Sequence, residues 1–270
     1  MPPISETVGA RDLAARVALV TGASSGLGLA AARALAARGA RLAVSSRGGE
    51  KLDSARRELA EGGAEVIAVP ADVARREDLD RLVGEVGERL GPVDVLVANG
   101  GGPPRKAAAD LDEADWEAAI PLVFLFVPRL CRRVVPGMRE RGWGRIVAIN
   151  SVSTRQPIPG LALSNALRPA VWGYLKTLSA EVAAEGVTVN AVLPGYTLTD
   201  RQRQLYEGQA EASGRPLAEV VAEQAAALPA GRMAEPDEIG AVVGFLCSPA
   251  ASYLTGQAIA VDGGYVRALL

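Results

Sequence analysis

VALVTGASSGLG, Val17 to Gly28, is the stretch on which the fold turns. Val17 to Gly22 is a short β-branched apolar run, which reads as a strand buried on both faces of a parallel sheet. Gly22, Ser24, Ser25, Gly26, Leu27 and Gly28 then make a glycine-rich turn, and the following LAAARALAAR is helical in composition. Strand, glycine turn and helix come in the order of a phosphate-binding βα unit. Glycines let the backbone approach a pyrophosphate, and the helix N-terminus favours its charge. The spacing is Gly-x-x-x-Gly-x-Gly rather than the commoner Gly-x-Gly-x-x-Gly. A plain tight turn is the alternative, and the strand before with the helix after favours the phosphate reading.

The pattern repeats outward from there. Strands are expected at Arg41 to Ser46, Ala64 to Val73, Val93 to Asn99, Arg145 to Asn150, Val187 to Gly195 and Ala258 to Gly264. Helices are expected between them, including a long one over Asp112 to Arg141 that Pro121, Pro128 and Pro136 must kink or shorten. Leu161 to Ala184 is a further helix, and Asp200 to Leu228 is a polar, Ala-rich helical lid. Seven alternations without a repeat or linker predict an α/β fold: one doubly wound parallel sheet of about seven strands flanked by helices. Residues 1–15 read as a leader and 16–270 as one domain, with the lid at about 199–229.

Length and composition agree. A chain of 270 residues with 49% hydrophobic and 22% charged residues suits one soluble domain. A net charge of −2 gives no reason to expect nucleic acid or an anionic membrane as partner. The longest apolar run, around Ile120 to Val127, falls short of the about 20 residues that span a bilayer. The N-terminus has no signal-peptide core. Cys131 and Cys247 are the only cysteines, which fits a reducing cytoplasm and no disulfide framework. The chain has no histidine, so the commonest metal ligand and general base is missing and no metal site is expected.

Candidate ligand residues gather at the ends of the expected strands. The second ends at Ser45-Ser46-Arg47. An acid there would bind a ribose 2′-hydroxyl, whereas an Arg accommodates a 2′-phosphate. Arg47 therefore favours NADP(H) over NAD(H), unless it is simply a solvated loop residue. Asp72 and Val73 close the third strand; the Asp72 carboxylate either accepts from an adenine amino group or caps the next helix. Asn99 and Gly100 end the fourth, where glycine allows close backbone approach to a cofactor or makes a turn. After the fifth come Ser151 and, on one helix face, Ser164 and Arg168 four residues apart.

Together these residues resemble the short-chain dehydrogenase/reductase superfamily, with a flavour similar to 3-oxoacyl-[acyl-carrier-protein] reductases. The resemblance runs from about Val17 to Gly264 and rests on TGASSGLG, Asp72-Val73, Asn99-Gly100-Gly101, RIVAINS, Asn190, Pro194-Gly195-x-x-x-Thr199 and the closing GRMAEPDEIG and SPAASYLTGQAIAVDGG. It implies a Rossmann-type sheet, a small carbonyl or alcohol substrate, and Pro194, Gly195, Thr197 and Thr199 beside the nicotinamide. It also implies a homotetramer or homodimer built through the helices of Asp112 to Arg141 and Leu161 to Ala184, which carry apolar residues almost all round.

The family's chemistry uses an Asn, a Ser, a Tyr and a Lys. The Ser carries over to Ser151. The Tyr position, thirteen residues on, holds Ser164; the Lys position, four later, holds Arg168; the Asn position, seven after Trp116, holds Val123. A serine hydroxyl is a far weaker acid than a phenol whose pKa, ordinarily about 10, is lowered by a Lys ammonium. Arg168 keeps the charge and can hold ribose hydroxyls, but it stays protonated and relays nothing. Tyr196, after Pro194-Gly195, is a candidate replacement acid; otherwise it packs against the pocket. Three readings stay open: an NADP(H)-dependent oxidoreductase with an altered proton relay, a dinucleotide-binding protein without turnover acting as a sensor or partner of an active relative, or a mainly structural subunit in a mixed oligomer.

Overall fold

The computed structural model describes residues 11–269. Seven parallel strands form one sheet: β1 Val17–Thr21, β2 Arg41–Ser45, β3 Val66–Ala68, β4 Val95–Ala98, β5 Gly144–Ile149, β6 Val187–Pro194 and β7 Ala258–Val261, in the order β3-β2-β1-β4-β5-β6-β7. Helices cover both faces: α1 Gly26–Ala37, α2 Glu50–Glu61, α3 Arg76–Arg89, α4 Glu113–Ala119, α5 Phe126–Glu140, α6 Ala162–Val182 and α9 Pro236–Cys247, while α7 Asp200–Ser213 and α8 Leu217–Ala226 occupy the stretch read from the sequence as a helical lid. The doubly wound α/β reading of the sequence therefore holds. Of the expected leader, residues 1–10 lie outside the described residues, while 11–15 make a turn that buries Leu13 completely.

Strand alternation divides the core. Val17 and Leu19 face one side with Leu79 and Leu82 of α3, Leu130 of α5 and Leu175 of α6. Ala18 and Val20 face the other with Leu35 of α1, Leu52 of α2 and Val243 of α9. Every residue of β1, β4, β5 and β6 is buried, which is why their sequences are apolar runs rather than alternations. α1 and α9 approach closely because small residues meet: a Cβ on Gly240 would lie 2.5 Å from the Ala30 carbonyl oxygen.

Two expectations change in detail. The third strand was expected over ten residues, and regular pairing covers only Val66–Ala68. Pro70 interrupts the ladder because it has no N–H, although Val69 and Ala71 on either side still donate to Val44 and Ser46. The long helix neither breaks nor ends at its prolines. It passes from α4 into α5 through a π-helical segment, Ile120–Leu125, which takes in Pro121 near its start, and Pro136 lies inside α5. The apolar residues of these helices are largely covered within the chain. Among the described residues the exposed large hydrophobic ones are Leu205, Phe245, Tyr253 and Leu269, none of them on α4, α5 or α6.

The chain leaves β1 towards β2 on one side and reaches β4 on the other. The carboxyl ends of β1 and β4 therefore flank the switch point, where open α/β sheets bind ligands.

Candidate functional site

The glycine turn is set by backbone geometry. Gly22 and Gly26 have φ +60° and +54°, the left-handed region that glycine enters without steric cost. Thr21 and Asn99 tie the turn to β4. The Thr21 hydroxyl donates to the Asn99 carbonyl at 2.8 Å and accepts from the Asn99 N–H at 3.0 Å, while Asn99 Nδ2 donates to the Gly22 carbonyl at 3.1 Å. A Cβ on Gly28 would sit 2.2 Å from the Gly22 carbonyl oxygen, so the first turn of α1 can close on the loop only with glycine there.

Beside the turn lies a cavity of about 680 Å³. It gathers Gly22, Ser24, Ser25, Arg47, Asp72, Val73, Asn99 and Gly100 from the ends of β1, β2, β3 and β4. Ser24, Ser25, Gly26 and Thr199 line an adjoining pocket of about 390 Å³ between α1, α2 and the lid. Leu27 is partly buried against the core and Gly28 is buried, and Gly195 lies against the end of β7, where a Cβ would be 2.7 Å from Asp262 Cα. Thr197 is buried and Thr199 caps α7 by accepting from the Gln202 N–H. Asp72 does not cap α3. Its carboxylate accepts from the Ala74 N–H at 3.0 Å in a local turn, and the helix begins after Arg75.

Lys51 and Glu50 also line the cavity, and the sequence reading passed over both. Lys51 is one of three lysines in the chain and follows Arg47 across two glycines at the head of α2, which is the signal that it shares the Arg47 wall.

The segment after β5 carries the second group of candidates. Ser151 caps a short 3₁₀ turn; its Oγ accepts from the Ser153 N–H at 3.1 Å, so its own hydrogen remains available to an acceptor. α6 carries Ser164, which is buried, and Arg168 one turn on. Asn150 Nδ2 donates to the Arg168 main-chain carbonyl at 3.0 Å, tying the end of β5 to α6. The Arg168 guanidinium makes one long bond, Nη1 to the Ile149 carbonyl at 3.4 Å, and its buried Nε has no partner. No carboxylate of the described residues pairs with it, and burial pulls its pKa down to about 10.

Val123, in the π-helical segment, packs with Ala119, Leu163 and Leu167 in a small apolar cluster. Tyr196 stands apart in the lid cluster, its ring edge-on to Tyr265 with centroids 5.3 Å apart. Burial and then Tyr265 raise its pKa, which makes it a poorer acid near neutral pH. No group of three metal-ligating side chains forms among the described residues, and no described helix is long and apolar enough to cross a membrane.

A family model described as enoyl-(acyl carrier protein) reductase matches residues 22–266, nearly the whole domain. The chain belongs to the short-chain dehydrogenase/reductase superfamily. It is 36% identical over 256 residues to a 3-oxoacyl-[acyl-carrier-protein] reductase of Synechocystis sp., covering 94% of this chain and 98% of that one. Among solved structures it is similar to L-sorbose reductase from Gluconobacter frateurii, complexed with NADPH and L-sorbose, at TM-score 0.93 and 33% identity over 97% of this chain and 100% of the other. It is also similar to an NADPH-bound short-chain oxidoreductase from Pseudomonas aeruginosa PAO1 described as containing an atypical catalytic centre, at TM-score 0.86 and 32% identity, covering 94% and 97%. In this chain the candidate ligand residues of the larger cleft lie at the carboxyl ends of β1 to β4.

Proposed function

We propose that this short-chain dehydrogenase/reductase holds NADP(H) across the β1–β4 switch point and reduces a small carbonyl substrate without the family's proton relay. The observation that carries the reading is Arg168. A guanidinium on a half-buried side chain, with its Nε buried and unpartnered and no carboxylate beside it, is costly by itself, and hydroxyl acceptors of a ribose would complete it. Arg47 and Lys51 on the cavity wall, with no acid at the end of β2, suit a 2′-phosphate; the acids on the same cavity are Glu50 and Asp72.

When bound, the cofactor supplies the hydride. The chain's residues do the rest. The Ser151 hydroxyl donates to the carbonyl oxygen and orients it. Arg168 keeps its charge and holds the cofactor. Ser164, standing where the family has Tyr, can donate a hydrogen bond but cannot deliver a proton at neutral pH. Carbonyl, hydride and one proton give the alcohol, and the proton comes from water. Losing general acid catalysis slows such a step by roughly 10²–10⁴-fold without forbidding it, so an activated carbonyl is the expected substrate class.

The three positions 123, 164 and 168 also favour a second reading, a dinucleotide-binding protein without turnover. One experiment separates them: titration of the purified protein with NADPH and NADH by nicotinamide fluorescence, then NADPH consumption with ketose and 3-oxoacyl thioester substrates. Binding with turnover supports the reductase, and binding without turnover on any carbonyl supports the second reading. No binding up to about the mM range would sink both. The family resemblance supports an oligomer, and a sedimentation run showing monomer alone would end that part of the proposal.

A further inference from the structure

The amino-terminal edge of the sheet, opposite the switch point, holds a larger cavity than the cofactor cleft. Its volume is about 910 Å³, within the usual range of small-molecule sites, about 300–1,000 Å³. Arg145, at the start of β5, is 4% exposed and lines it. Arg145 Nη1 donates to the Gly144 and Gly186 carbonyls at 2.8 and 3.2 Å, but its buried Nε has no partner and no carboxylate of the described residues reaches it. Thr188, at the start of β6, lines the same cavity, is 6% exposed, and its Oγ1 is also unpartnered.

The surrounding charges do not neutralise Arg145. Trp143 is sandwiched between two cations, with the Arg16 guanidinium 3.9 Å and the Arg145 guanidinium 4.4 Å from its ring centroid. Asp94 is engaged by Arg16 and Arg141 at 3.7 and 3.3 Å. Asp12 gives one oxygen to Arg38 at 2.7 Å; its other oxygen is buried without a partner. Burial, and after it the Arg16 charge, brings Arg145 down to about 10, so it remains a cation at neutral pH. A buried cation without a counter-charge is costly, and an anion placed beside it offsets part of that cost.

We propose that this cavity is a second ligand site, distinct from the cofactor cleft, for a small monocarboxylate with an apolar body. The carboxylate meets the cavity face of the Arg145 guanidinium, and a small shift of Arg145 and Thr188 brings the unpartnered Nε and Oγ1 hydrogens to its two oxygens. Val187, Pro249 and Ala183 supply apolar wall. Asp12 on the same wall disfavours a second negative charge, which selects a carboxylate over a phosphate dianion.

The test compares 2-naphthoate with its neutral isostere, 2-naphthamide, on the whole chain, by calorimetry and tryptophan fluorescence. The acid should bind saturably and the amide at least about tenfold more weakly, as expected for a charge-assisted hydrogen bond. Arg145→Gln should erase that difference, and Thr188→Val should weaken the acid several-fold. Trp143→Phe should lose the fluorescence response while heat of binding remains. Should Arg145→Gln not fold, the wild-type pair of probes and Thr188→Val still decide. Equal affinity for acid and amide, no binding by about 10 mM, or a response that survives Trp143→Phe would overturn the proposal. Exclusion of the probe on self-association would also overturn it, since a second copy would then be the occupant.

Discussion

Replacing Arg168 with methionine should raise the stability of the protein while removing its affinity for the dinucleotide. The guanidinium lies in α6 with a single 3.4 Å bond to the Ile149 carbonyl and an unpartnered Nε. Burial lowers its pKa to about 10, which corresponds to a cost on the order of 3 kcal/mol for keeping it charged in the fold at neutral pH. Methionine has similar length, no charge and a flexible stem. It forfeits the Ile149 bond, worth about 1 kcal/mol, but not the Asn150 bond, which goes to the main-chain carbonyl. The balance is a gain of about 1–2 kcal/mol, or about 2–8 °C in Tm for a domain of this size. In wild type, NADPH at about a hundred times its Kd adds roughly 2.7 kcal/mol; the variant should gain nothing. Thermal melts with and without NADPH therefore cross over: the variant melts higher alone, and wild type melts higher with cofactor. If Arg168→Met melts below wild type without NADPH, the guanidinium is compensated in solution and the reasoning fails.

Arg47→Ala should weaken NADPH by about tenfold or more and leave NADH nearly unchanged, since only the 2′-phosphate is lost as a partner; parallel fluorescence titrations check this. Gly28→Ala puts a Cβ 2.2 Å from a carbonyl oxygen of the glycine turn, so the turn must move; a loss of about 1–3 kcal/mol together with weaker NADPH binding should appear in denaturant titrations. Cys131 and Cys247 are both buried, and burial pushes each thiol up to about 12; neither should react with a disulfide reagent at pH 8 until the chain is unfolded. Glu238 accepts from both Arg232 terminal nitrogens at 2.7 Å and from the Glu235 N–H, and its pKa is drawn down to about 2. Its stabilisation is present above pH 4.5 and is lost as pH falls through about 2, so Glu238→Gln should flatten that part of an acid unfolding curve.

Much of the architecture is local and was therefore legible in one dimension. A strand buried on both faces must be an apolar run, and VALVT, RIVAI and VTVNAVLP announce β1, β5 and β6 by composition alone. Positive φ demands glycine, so the turn at Gly22 and Gly26 is written in the residue type. Spacing alone placed Ser164 and Arg168 on one helix face. What the tertiary structure decided are the partners, because these come from residues far apart in the chain. Asn99 reads as a residue at the cofactor edge, and only the fold shows its side chain clamping a turn 77 residues away while the residue lines the cavity. Of the two readings left open for Asp72, adenine contact or helix cap, the fold removes the cap, since the carboxylate closes its own local turn. Val123 reads as a missing polar group, and only packing shows it filling an apolar cluster with Leu163 and Leu167. Above all, a sequence shows that an arginine is present but not whether a carboxylate faces it. Arg145 looks like any other arginine of this Arg-rich chain and Arg168 is marked only by its position in the motif, and only the fold leaves the Nε of each buried without a partner or counter-charge, one at each edge of the sheet.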